Sequence, residues 1–191
     1  MSPHLVLHEL GIKFEAESVN LKTKQTASGK DFKAINPKGS VPTLLLDNKE
    51  VLTEGAVIVQ YLADQKPEAN LIPKAGTFER YRVQEWLNYI ATELHKNFSP
   101  LFYDTTPAET KVAAREKLAA RFDYVSNELN GKTYLMGNNY SVADAYMFTV
   151  LSWSAHVKVD LTKWPTILGY LEKIKSRPAT LATLKAEGLL K

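Results

Sequence analysis

Hydrophobic and polar positions change their spacing near residue 77. Upstream of it the patterns are short and of mixed type. Ser2-Pro3 reads as an N-cap followed by proline at the first helical position, and Gly11 reads as the stop of that helix. "KFEAESVN", residues 13–20, alternates Phe14, Ala16 and Ser18, which is the period of a strand. "TASGKDFKAIN" is loop with one helical turn. Thr43 to Leu46 and "VLT" (51–53) flank "DNKE" as the arms of a β-hairpin. Thr53 then caps a helix from Glu54 to about Asp64, with Val57, Ile58, Tyr61 and Leu62 sharing a face. The order is helix, strand, loop, hairpin, helix. An α/β unit that opens on a helix and holds only three strands is incomplete.

Downstream the periods are helical and long. Thr77 caps a helix running through "FERYRVQEWLNYIATELHKNF". In "TPAE", Thr106 is the cap, Pro107 the first helical residue and Glu109 the residue reaching back. That helix ends at Gly131. "SVAD", Ser141 to Asp144, is a capping box with Asp in place of Glu. It opens "AYMFTVLSWSA", whose apolar residues fall on every side, as expected of the buried central helix of a bundle. Pro165 starts another helix, and Gly188 stops the last. The pattern predicts an α/β domain over residues 1–65, a linker rich in Pro, Gly, Asn and Lys over 66–76, and an all-helical domain over 77–191.

Composition narrows the function classes. The 191 residues are 45% hydrophobic and 24% charged, with a formal net charge of +3 and no dense basic cluster, so nucleic-acid binding has little support. No apolar run approaches the ~20 residues of a membrane span, and the N-terminus lacks the features of a signal peptide. With no cysteine, disulfides, thiolate metal sites and a cysteine nucleophile are excluded, and a cytoplasmic location fits. Of the four histidines only His4 and His8 stand at a ligand spacing, without a third ligand, so no metal site is expected.

Three features could carry chemistry. Pro42 enters an apolar strand although proline cannot donate to a ladder. A cis bond there would leave the N–H and C=O of Val41 open for an extended peptide to pair with, whereas an ordinary loop proline would do nothing. In "LTEGAVIVQYLA", Glu54 and Gly55 begin a helix whose free N–H groups favour a carboxylate, while Glu54 could grip an ammonium. The alternative is that Glu54 only complements the helix dipole. Asn88, Thr92 and His95, spaced i, i+4, i+7, share a face distinct from that of Trp86, Ile90 and Leu94. That stripe is either solvated surface or the lining of a cleft in which His95 positions or deprotonates a substrate thiol.

Taken together and in order, "NPKGSVPTLLLDN", "LTEGAVIVQYLA", "EWLNYIATELHKNFSPLF" and "SVADAYMFTVLSW" resemble cytosolic glutathione S-transferases, in particular the bacterial beta class, over nearly the whole chain. The resemblance implies an α+β fold, a thioredoxin-like N-terminal domain followed by an all-α helical bundle. It implies a cis bond at Pro42 and main-chain pairing of Val41 with the cysteinyl part of glutathione. Glu54 and Gly55 would hold the γ-glutamyl end, and Lys24 the glycine carboxylate. Asn88, Thr92, Glu93, Leu94 and His95 match positions that touch glutathione or line the catalytic cleft. Many relatives carry Ser where Gly55 stands, and the box at Ser141 and Asp144 matches a folding motif of the family.

Beta-class relatives begin with a β-strand and a cysteine-bearing turn ahead of a helix like "SPHLVLHELG". This chain starts at that helix, so the central strand and the cysteine are expected to be missing, leaving two inner edges unpaired. Ser2, the hydroxyl nearest that turn, is expected to be a helix cap. The expectation is a glutathione transferase acting on small hydrophobic electrophiles, impaired by the lost strand, with His95 as the remaining catalytic helper. It would be a cytoplasmic homodimer with glutathione as co-substrate, no other cofactor and no membrane or nucleic-acid partner. The rival is a non-catalytic protein binding glutathione or hydrophobic ligands on the same scaffold. A thiol reductase is disfavoured by the absence of cysteine.

Overall fold

The computed structural model describes residues 1–190; Lys191, the last residue of the expected helical domain, lies outside them. Helix α1 spans Ser2–Leu10 and stops at Gly11, whose left-handed backbone (φ 61°) only glycine adopts without cost. Ser2 is not its cap. It is the first helical residue, buried, with Met1 in the cap position and no side-chain capping bond.

The strand expected over residues 13–20 shrinks to β1, Val19–Asn20, paired antiparallel with β2, Gln25–Thr26. Alternation is not enough to make a strand: a ladder needs a partner backbone. Among the described residues no backbone pairs with residues 13–17, only the Ser18 carbonyl being taken, by the Ala27 N–H at 2.9 Å, and Phe14 instead packs against the rings of His4 and His8, at 4.8 and 5.4 Å. The single helical turn is α2, Phe32–Ile35, capped by the Asp31 carboxylate, which accepts the Lys33 N–H at 2.9 Å.

The hairpin forms as expected. β3, Thr43–Leu45, pairs antiparallel with β4, Val51–Thr53, with Leu44 opposite Leu52. The two hairpins are separate two-stranded sheets sharing no ladder bond. Helix α3 spans Gly55–Asp64. Its cap position is held by Glu54, not by Thr53, because Thr53 is spent as the last residue of β4 and its hydroxyl accepts from Lys38.

The segment after α3 is no loose tether. A 3-10 turn at Pro67–Ala69 leads to Leu71 and Ile72, both buried, and the Leu71 carbonyl accepts the Val142 N–H at 2.9 Å. Arg80 then clamps both sides of the connection. It donates twice to Asp64, each bond 2.8 Å, and once to the Pro73 carbonyl.

Helix α4, Phe78–Tyr89, is capped by Thr77 as expected, the hydroxyl accepting the Arg80 N–H. It continues as a π-helix over Ile90–His95, then α5, Lys96–Phe98, and a 3-10 turn to Phe102. Helix α6, Ala108–Leu129, starts one residue later than expected. Pro107 is its cap residue, and neither Thr106 nor Glu109 makes a capping bond.

Helix α7, Val142–His156, is the buried centre of the bundle, with Val142 through Leu151 all shielded. Its box closes through Asp144, which accepts the Ser141 N–H at 2.8 Å, the Ser141 hydroxyl, the Leu135 N–H and the Tyr170 hydroxyl. Burial pushes this carboxyl up, against the pull of those four donors. Helices α8, Pro165–Lys175, and α9, Pro178–Ala186, complete the bundle. One apolar core runs through both halves, joining Leu5 and Ile58 to Leu94, Met147 and Ile174. No helix among the described residues is long and apolar enough to cross a membrane.

Candidate functional site

In the loop ahead of β3 the Val41–Pro42 peptide is cis. The Val41 N–H and C=O have no protein partner among the described residues, and its side chain is 48% exposed. Thr43 is the first residue of the ladder, so Val41 extends the strand's edge without being paired. Asn36, buried at the start of the loop, fixes this shape: its amide donates to the Ser40 carbonyl at 2.9 Å and to the Thr43 hydroxyl at 3.0 Å.

The start of α3 lies against Pro42. A Cβ added to Gly55 would stand 3.5 Å from Pro42 Cγ and 3.8 Å from Ser2 Oγ, ordinary contacts, so the position has room for a small side chain. The N–H groups of Gly55 and Ala56 have no protein partner among the described residues, as at any helix start. Glu54 is held at φ 68°, a left-handed backbone that costs a non-glycine residue free energy. Its carboxylate accepts from Lys38 Nζ at 2.7 Å, and this bond holds the Glu54 carboxyl below its ordinary range. Lys24 Nζ donates to the Gly39 carbonyl at 2.8 Å, keeping two further N–H donors.

The π-helical segment packs against α6 and α7. The wider turn inserts one residue into the α register, so later side chains are rotated relative to an unbroken helix. His95 Nδ1 lies 2.9 Å from the Tyr146 hydroxyl of α7, and its ring meets Trp153 edge-on at 4.7 Å. Burial keeps the His95 imidazole below its ordinary pKa; Lys96 acts in the same direction and Glu54 opposes it. Beside His95, Trp153 packs against Phe98 and Phe102, and Phe102 stacks on His156, making an aromatic wall with Phe102 41% exposed.

The other residues singled out on this segment part ways. Asn88 and Thr92 are exposed, the Thr92 hydroxyl donating to the Asn88 carbonyl. Glu93 turns to α6, accepting twice from Arg121 at 2.9 and 2.7 Å. Leu94 is fully buried in the core, so its side chain lines no cleft. Sequence reasoning missed Lys38, which sits inside the quoted loop motif, and Tyr146 and Trp153, which look like any other apolar positions of α7.

The α/β half thus presents open main chain at a strand edge, and one apolar core joins it to a helical bundle carrying a partly buried histidine. The glutathione S-transferase N-terminal domain profile matches residues 2–65 and the C-terminal domain profile residues 89–178. The chain is 43% identical over 189 residues to glutathione S-transferase GstA of Escherichia coli O157:H7, covering 99% of this chain and 94% of that protein. A sphingomonad glutathione S-transferase solved with glutathione superposes with a TM-score of 0.95 at 43% identity, covering 98% and 94% of the two chains. The bacterial beta-class enzyme of Sphingomonas chungbukensis gives 0.96 at 43% identity, covering 99% and 94%. The chain belongs to the glutathione S-transferase family.

Proposed function

We propose that this protein is a beta-class glutathione transferase that joins the sulfur of glutathione to small hydrophobic electrophiles. The observation that carries the reading is the Val41 peptide unit, unpaired and exposed beside the start of α3. An extended tripeptide would add to that edge through its cysteinyl main chain. The free N–H groups of α3 would receive the γ-glutamyl carboxylate, and Glu54 would take its ammonium in exchange for Lys38. Lys24 would meet the glycine carboxylate. His95 then faces the sulfur, and the wall of Trp153, Phe102 and His156 suits a flat apolar electrophile. The thiolate attacks the electrophilic carbon, the carbon–sulfur bond forms, and the leaving group departs with the electron pair. The family relationship agrees with a homodimer working in the cytoplasm.

Titration calorimetry with glutathione, paired with conjugation to 1-chloro-2,4-dinitrobenzene, tests this. Binding with turnover is expected, and absence of binding ends the reading. Because the two hairpins share no ladder bond, turnover is expected to rise when a β-strand that joins them is appended; equal turnover would show that the split is harmless. The same split favours a second reading, glutathione binding without catalysis, which binding with no turnover would establish.

A further inference from the structure

We propose that Tyr146 is a positioning residue for His95: its hydroxyl donates to Nδ1 and holds the ring proton on Nε2, so that the imidazole presents a hydrogen-bond donor to the cleft. The proposal rests on the placement of His95 at the glutathione sulfur argued above. Tyr146 projects from the buried helix α7 and is 6% exposed. Its hydroxyl has a single protein partner, His95 Nδ1 at 2.9 Å. If the imidazole were the donor in that bond, the phenolic hydrogen would have no protein acceptor on a side chain that is almost wholly buried, which is costly. Donation by the phenol satisfies both groups at once.

The surroundings disfavour the charged form of both partners. Burial, with Glu54 adding to it, pushes the Tyr146 phenol up to about 12. Burial and Lys96 keep His95 neutral, against the weaker pull of Glu54. A neutral imidazole carries one ring proton, and with Nδ1 accepting, that proton is on Nε2. His95 Nε2 has no protein partner among the described residues and is not among the polar atoms sealed from solvent. The edge bearing the proton is therefore the open one.

The consequence separates two roles that the sequence left open. A nitrogen that already bears hydrogen cannot take the proton of a thiol. The thiol proton leaves to water, and the Nε2–H donates to the sulfur anion, stabilising charge as a fixed donor does in an oxyanion hole. Tyr146 touches no substrate; it sets what His95 offers.

Two-bond nitrogen–proton spectra of the histidine rings, assigned with His95→Gln among the four histidines, test this in the free protein. The expected result is Nε2–H for His95 at neutral pH, and a mixture of tautomers in Tyr146→Phe, which keeps the ring and removes the hydroxyl. Trp153→Phe, which disturbs the ring packing and spares the hydrogen bond, should leave the tautomer as it was. An Nδ1–H tautomer in the wild-type protein, or an unchanged one in Tyr146→Phe, overturns the proposal whether or not glutathione binds. With glutathione, ultraviolet titration of the bound thiol should show its pKa raised in Tyr146→Phe, and turnover should fall about tenfold, the effect of one hydrogen bond. If His95→Gln abolishes turnover while Tyr146→Phe changes neither quantity, the function stands and the positioning role does not.

Discussion

Helix α7 and the loop ahead of β3 satisfy their polar groups in opposite ways. In α7 the buried Asp144 carboxylate takes four donors, and the helix is surrounded by apolar side chains. At Val41 the main chain is left open, the strands beside it are short, and the nearby ion pair Lys38–Glu54 is exposed. A polar group closed off in the interior contributes to stability; one left open at the surface is available to a ligand. The helical half thus holds side chains in place, and the α/β half offers backbone. His95 is anchored within the helical half, by the Tyr146 hydroxyl at 2.9 Å and the Trp153 ring.

The comparison breaks most visibly at Asp144. Asp144→Ala strands the buried Leu135 N–H and Tyr170 hydroxyl, and is expected to destabilise the fold by about 3–5 kcal/mol in urea unfolding. A loss below about 1 kcal/mol would mean the network is dispensable. Glu54→Gln should do the reverse. Its pair with Lys38 is exposed, so stability should change by less than about 1 kcal/mol. Glutathione affinity by calorimetry should fall about tenfold, since a charge-assisted bond to the ammonium is lost. Unchanged affinity would remove Glu54 from the ligand site.

Gly55→Ser sharpens the contrast in the favourable direction. The space beside Pro42 and Ser2 admits the side chain, and the added hydroxyl should tighten glutathione about fivefold through one more hydrogen bond. Weaker binding in this variant would place the γ-glutamyl group elsewhere.

The pH dependence of stability is a smaller effect with a definite sign. His95 has a pKa below its ordinary 6.5 in the fold, so between that lowered value and 6.5 the unfolded chain binds a proton that the native one refuses. Stability contributed by neutral His95 is intact above about 6.5 and falls as the pH drops through that window. Thermal melts of the wild type and His95→Gln should diverge in slope there, and parallel curves would refute the buried, neutral histidine. The least change is expected at Val41→Ala. If recognition runs through the main chain, glutathione affinity should shift by no more than about 0.5 kcal/mol, and a large loss would mean the side chain carries it.

Much of this arrangement was legible in residue order. Thr77 and Gly11 punctuate helices where their chemistry says they should, and the all-round apolar pattern of 145–155 correctly foretold a buried centre. Patterns failed where a partner was required. Residues 13–17 alternate like a strand yet have no ladder to join, and Thr53, a good cap by type, was already committed to β4. Leu94 and Glu93, one and two positions before His95, point into the core and at Arg121 because a helix sends neighbours in different directions.

By itself, the sequence marked a change from short mixed elements to long helices near residue 77, the hairpin at 43–53 and the helix stops and caps at Gly11 and Thr77. Local propensity and period suffice for these, because each depends on groups close together in the chain. Only the tertiary structure decided that Lys38 holds Glu54, that Asp144 gathers donors from three segments, and that a tyrosine 51 positions away engages His95. Those pairings depend on distances that no spacing along the chain encodes, since they are set when separate elements pack on one core.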